Sequence, residues 1–157
     1  MLDLVEELRS LVRSLDQHGL EYALCGGMAM GVYGVARTTI DIDLLILSES
    51  LPDVLEIAKT LGYNIRGKDL SFANGAVEIR RVSKIDSEDG QLLSLDLLLA
   101  TPDIRDVWET RQIVEWEGGN LSVVSVSGLI ALKQLRRSYQ DLADIEALTP
   151  EGFHDES

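Results

Sequence analysis

Ile40-Asp41-Ile42-Asp43-Leu44-Leu45-Ile46-Leu47 is an apolar run broken only by two carboxylates. Its length and its Ile and Leu content read as a buried strand, and the period-two alternation of a strand sends Asp41 and Asp43 to the same side. Two carboxylates that close repel one another unless a cation lies between them, and a hard divalent ion with oxygen ligands, Mg²⁺ above all, answers that need. The alternative is a solvated face on an edge strand, the usual setting of charged strand residues. Leu45 and Leu47 continue the same face as apolar, which favours the metal. A third acid, Asp96, interrupts Ser94-Leu95-Asp96-Leu97-Leu98 in the same manner, so three acids converge if the two strands are neighbours. Taken alone, Asp96 would read as a strand-end charge or as the partner of Arg80 or Arg81.

Upstream of this strand, Leu4, Leu8, Leu11 and Leu15 recur at helical spacing, and His18-Gly19 supplies a stop. Leu20 to Cys25 reads as a short buried strand, after which Gly26-Gly27 breaks the chain before the helix-compatible run Met28 to Tyr33. Downstream, Ser48 to Leu51 with Pro52 opens a helix reaching about Leu61. Strand-like segments follow at Tyr63 to Arg66, Ser71 to Ala73 and Val77 to Val82, with Asn74-Gly75 turning a hairpin between the last two. Ser83 to Gln91 is polar and reads as a loop before the strand Leu92 to Leu99. Pro102-Asp103 starts a short helix, and strands around Arg111 to Trp116 and Leu121 to Val124 flank Gly118-Gly119. From Ser127-Gly128 to about Leu148, the spacing of Leu129, Leu132, Leu135, Tyr139, Leu142, Ile145 and Leu148 predicts a last helical region with one continuous apolar stripe.

This order predicts an α/β (α+β) fold, a mixed sheet with helices packed mainly on one side plus C-terminal helices. The first, third and last helices are expected on the apolar side, and the last helix is also expected to close the site. Residues 1–148 are expected to form one domain and 149–157 a polar, flexible tail.

Composition narrows the function. Fourteen Lys and Arg against 27 Asp and Glu leave a formal charge of −13, a field that repels nucleic acid and anionic membranes. Extended nucleic acid binding is therefore not expected, although Arg66, Lys68, Arg80, Arg81 and Lys84 offer a local basic patch on the hairpin. Cys25 is the lone cysteine, which excludes an internal disulfide and a two-cysteine metal knuckle, and only His18 and His154 are available as imidazoles. Catalysis must rest on carboxylates. No segment approaches a membrane span and the acidic start is unlike a signal peptide, so a cytoplasmic location is expected.

Gly26-Gly27 stands between a strand and a helix, where free backbone N–H groups and close approach suit a phosphate, although tight turns use glycine more often than ligands do. The order decides. A phosphate-gripping turn followed by a pair of metal-binding acids on the next strand is the layout that a nucleoside triphosphate with Mg²⁺ requires.

Cys25-Gly26-Gly27-Met28-Ala29, followed by Tyr33-Gly34-Val35-Ala36-Arg37-Thr38-Thr39-Ile40-Asp41-Ile42-Asp43-Leu44, resembles the signature of minimal nucleotidyltransferases of the DNA polymerase β superfamily. Within it the chain is most similar to the AbiEii-toxin-like group. Gly128 to Lys133, Arg136-Arg137 and Asp141 to Ile145 resemble that group's second block. The resemblance spans roughly Leu20 to Leu148. It implies that Gly26 and Gly27 hold the triphosphate and that Asp41, Asp43 and Asp96 ligate two Mg²⁺ ions, with Mn²⁺ as a substitute. It implies further that Asp96 helps deprotonate the attacking hydroxyl, that Lys133 reaches the phosphates, and that Arg37 braces the motif or touches the triphosphate. Lys133 also reads as a solvated helix lysine, and Asp141 as the i,i+4 surface partner of Arg137.

The expected activity is transfer of a nucleoside monophosphate from a nucleoside triphosphate to a hydroxyl on a protein, a small molecule or an RNA end. The expected setting is a toxin–antitoxin pair with a partner protein. The alternative is a catalytically silent nucleotide-binding or partner-binding module of the same fold.

Overall fold

A computed structural model describes residues 2–35, 41–137 and 139–149. Arg37 and the 150–157 part of the expected tail lie outside the described residues. The chain begins with α1 (Leu4–Gln17), whose free N-terminal amides are met by Asp3, accepting from the N–H of Val5 and Glu6 at 3.0 and 3.3 Å. It continues through β1 (Ala23–Cys25), α2 (Gly26–Val32), β2 (Asp41–Ile46) and α3 (Leu51–Thr60), the last with Pro52 in its first turn. Then come β3 (Ile65–Arg66), β4 (Leu70–Phe72), β5 (Val77–Ile85), β6 (Leu92–Leu99), α4 (Arg105–Glu109), β7 (Gln112–Trp116), β8 (Gly119–Val123), α5 (Val126–Arg136) and α6 (Tyr139–Leu148). The expected loop from Ser83 begins three residues late, because Ser83, Lys84 and Ile85 pair with Ser94, Leu93 and Leu92 on β6.

The strands join in one mixed sheet ordered β3-β5-β6-β2-β1-β8-β7, with β4 also paired to β5. β2 runs parallel to β6 and antiparallel to β1, so its two neighbours come from opposite directions along the chain. Alternation divides the residues of β6. Leu95 and Leu97 point with Val82 into the core, while Asp96 and Leu98 point the other way. α1 and α3 pack against one another, and Leu8, Leu11, Leu15, Val54, Ile57 and Ala58 bury their shared apolar side. Glu7 on α1 accepts from the Tyr63 hydroxyl at 2.9 Å and pairs with Lys84 on β5, which ties these helices to the Lys84 side of the sheet.

The last helical region differs from the expectation in two ways. Its α5 residues Leu129 and Leu132 line one cavity with Leu98 and Ile79, on the face that carries the acids and not the face of α1 and α3. It is also not one continuous helix. Arg137 takes a left-handed conformation at φ 56°, its N–H bonding the Lys133 carbonyl at 2.8 Å, and the chain restarts in a new direction as α6. Leu142 is consequently exposed, whereas Asp141 and Asp144 are buried.

Candidate active site

The register of the sheet sets the site. Cys25 on β1 stands opposite Asp43 on β2, Asp43 opposite Asp96 on β6, and Asp96 opposite Arg81 on β5. Cross-strand partners share a face, so these four side chains form one lateral row across four strands. Asp41, two residues before Asp43, adds a third acid on that face and pairs in register with Ser94. The parallel pairing of β2 with β6 brings Asp41, Asp43 and Asp96 together.

Gly26 closes over the row. It has φ +69°, and a Cβ there would lie 2.0 Å from Asp43 Oδ2. Only glycine fits, for two reasons at once: the left-handed backbone and the carboxylate beneath it. Gly27 follows in the first turn of α2. A small cavity of about 60 Å³ opens beside them, with Gly26, Asp43, Asp96, Lys133, Arg136 and Asp141 on its polar side. Val77, Ile79, Leu98, Leu129 and Leu132 form its apolar floor.

Lys133 reaches this cavity from α5 and is itself buried, which excludes the solvated reading. Its Nζ donates to Asp144 Oδ2 at 2.9 Å and lies 3.8 Å from Asp141 Oδ1, while Arg136 Nε lies 3.3 Å from Asp141 Oδ2. Asp141 is thus held by Lys133 and Arg136 rather than by Arg137 in a surface pair. Lys133 and Asp144 are eleven residues apart, a span of roughly 16 Å along a straight helix. The break at Arg137 brings them into contact.

Charge crowding shows in the titration of the acids. Asp43 is pushed up to about 7 by burial first, then by Asp96 and Asp41. Asp41 is raised by burial and Asp96, against an opposing pull from Arg81. Burial, and then Asp43, drive the Cys25 thiol well above its usual range. A divalent cation would relieve this repulsion, and carboxylate oxygens are the donors that Mg²⁺ takes, so the residues fit the ion in chemistry. Even so, among the described residues no group of three or more His, Cys, Asp or Glu side chains is set to hold a metal ion. Both oxygens of Asp96 are taken by Arg81, Nε to Oδ1 at 2.6 Å and Nη2 to Oδ2 at 2.9 Å.

Four of the five residues of the expected basic patch are held in ion pairs, with Lys68 the exception among the described residues. Arg66 pairs with Asp69 at 2.8 Å, Arg80 with Glu78 at 3.3 Å, Arg81 with Asp96, and Lys84 with Glu7. Among the described residues no helix is long and apolar enough to cross a membrane.

The sequence model of one protein family, the nucleotidyl transferase AbiEii toxin of type IV toxin–antitoxin systems, matches residues 9–148. The chain belongs to the AbiEii nucleotidyltransferase family. No curated protein matches the chain. Among solved structures it resembles the lincosamide antibiotic adenylyltransferase LnuA with lincomycin bound, at TM-score 0.59 and 15% identity over 91% of this chain and 94% of that one. It also resembles the antibiotic-resistance factor ANT(2'')-Ia, at TM-score 0.61 and 15% identity over 92% of this chain and 81% of that one. At this identity the likeness shows the nucleotidyltransferase fold.

Three features escaped the reading of the sequence. The sequence offers Arg81 as an alternative partner of Asp96 and as part of a basic patch but not as the clamp on both its oxygens, and it assigns no role to Arg136 and no partner to Asp144. For Asp144 a signal existed: two acids three residues apart, following a Lys and an Arg, suit a buried ion network as well as a surface pair.

Proposed function

We propose that this AbiEii-family chain is a Mg²⁺-dependent nucleotidyltransferase that moves a nucleoside monophosphate from a nucleoside triphosphate to a hydroxyl. The observation that carries the reading is the in-register pairing of Asp43 with Asp96, with Asp41 on the same face and Gly26 pressed against Asp43. Backbone N–H groups at Gly26 and Gly27 and the ammonium of Lys133 bind the triphosphate, the lysine exchanging Asp144 for phosphate oxygens. Asp96 accepts the proton of the acceptor hydroxyl as its oxygen bonds to the α-phosphorus. The bond from that phosphorus to the bridging oxygen breaks, and pyrophosphate leaves. Asp41, Asp43 and Asp96 would hold Mg²⁺, which neutralises charge on the phosphate oxygens and on the leaving group.

The acceptor is a hydroxyl on a protein, a small molecule or an RNA end. A structure of ANT(2'')-Ia holds adenylyl-2''-tobramycin, a nucleotidylated small molecule. The −13 charge argues against a long polyanion. The family description, a toxin of a type IV toxin–antitoxin system, favours work with an antitoxin-like partner, and the place of work proposed is the cytoplasm.

The test is incubation with labelled nucleoside triphosphates, Mg²⁺ and cell extract. Label should pass to an acceptor with the wild-type chain and not with Asp41→Asn, Asp43→Asn or Asp96→Asn. Tight nucleotide binding with no transfer under any condition would favour the silent module.

A further inference from the structure

Asp96 is buried, and the group that satisfies both its oxygens is a guanidinium whose side chain is 38% exposed. The acid is fixed in the sheet, while the arginine side chain is partly open to solvent. We propose that Arg81 is the positioning residue of Asp96 and a built-in stand-in for the cation: it holds the third acid by both oxygens until a divalent ion displaces it. The proposal rests on reading Asp41, Asp43 and Asp96 as the cation-binding acids.

Three observations carry it. The two Arg81 bonds to Asp96, at 2.6 and 2.9 Å, form a fork with one bond to each oxygen, which occupies the chelating position between them. No other side chain in the lateral row is cationic, and the positive charge of Arg81 also acts on Asp41, so the head group offsets more than the acid it bonds. The stem of Arg81 is built into the edge of the sheet. β3 and β4 both pair with β5, and between them Gly67 donates its N–H to the Arg81 carbonyl at 2.9 Å. A Cβ on Gly67 would lie 3.2 to 3.3 Å from the Cβ, Cγ and Cδ of Arg81, so this break in the edge leaves a close-fitting channel for the stem. The channel steers the head onto Asp96 without enclosing it.

An ordinary structural salt bridge and this latch predict opposite effects on cation binding. If Arg81 only braces Asp96, removing it disorders a ligand and weakens the ion. If it occupies the cation's place, removing it releases both oxygens of Asp96, takes a like charge away from the ion and strengthens its binding.

The experiment is Mn²⁺ binding to the nucleotide-free protein, read by electron paramagnetic resonance. Arg81→Gln should bind Mn²⁺ about tenfold more tightly than wild type, since a unit charge a few ångströms from the ion has been removed. Arg81→Gln combined with Asp41→Asn should lose that gain, which places the ion at these acids. Equal or weaker binding by Arg81→Gln overturns the proposal, as does failure of both proteins to bind the ion. Should Arg81→Gln not fold, nitrogen-15 spectra of the wild-type Arg81 Nε–H decide: its hydrogen-bonded signal should be lost as Mg²⁺ binds, and a signal that persists overturns the latch. Absence of nucleotide transfer alongside the expected Mn²⁺ gain would count against the transferase reading and leave the latch standing.

Discussion

Gly26 and Asp43 touch so closely that the space of a single methyl group is already taken by a carboxylate oxygen, 2.0 Å from where a Cβ would stand. Gly26→Ala therefore has to displace Asp43 and also hold alanine at φ +69°. We expect it to destabilise the protein by about 1–3 kcal/mol from backbone strain alone, and to abolish nucleotide transfer. Urea melts and the labelling assay check both. A variant with wild-type stability and activity would show that the turn tolerates a side chain.

Asp43 gives the stability a defined pH dependence. In the folded chain its carboxyl keeps a proton up to about pH 7, against 3.8 for an ordinary carboxyl. Between those values the folded state binds more protons than the unfolded state, so stability falls as pH rises through this window and levels off above it. Asp41 is shifted in the same direction and adds to the slope. Urea midpoints measured without divalent ions at about pH 5 and about pH 8 should decline for wild type and decline less for Asp43→Asn. Mg²⁺ should stabilise the wild type more at the higher pH, where the carboxylates are ionised.

Lys133 holds together a buried network. Lys133→Met would take the buried ammonium away from both Asp141 and Asp144, while Arg136 stays in contact with Asp141. Removing one partner of a buried ion pair costs about 3–5 kcal/mol. Lys133→Arg keeps the charge and should recover much of that loss. Chemical denaturation measures the first effect, and titration with a fluorescent nucleotide should show weakened binding in Lys133→Met.

Gly128 seats α5 on the rest of the molecule. A Cβ there would meet Val124 Cγ1 at 2.7 Å, and Ser125 Oγ and Val107 Cγ1 at 3.2 Å. Gly128→Ala should cost about 1–3 kcal/mol by overpacking. Because α5 carries Lys133 and Arg136, the same change should also reduce nucleotide affinity. Thermal melts and nucleotide titration separate the two effects.

Much of the site was legible because its parts are local. Alternation alone put Asp41 and Asp43 on one face, and a glycine pair between strand and helix marked the turn that closes over Asp43. The segment Leu92 to Leu99 has the same bounds in the sequence and in the structure, since a short leucine-rich run broken only by Ser94 and Asp96, between turn residues, has no competing period. The last helix was misread for a related reason: the apolar stripe from Leu129 to Leu148 continues through the break, and nothing local announces that Arg137 turns left-handed.

By itself the sequence determined which acids interrupt buried strands and which face of each strand they occupy, because side-chain alternation and turn preference are properties of a few adjacent residues. Tertiary structure alone decided that β6 lies parallel to β2 with Asp96 level with Asp43, that Arg81 arrives from the other side to hold Asp96, and that α6 folds back to set Asp144 against Lys133. Those contacts join segments separated by long stretches of chain, and strand pairing and core packing fix them, which no local pattern encodes.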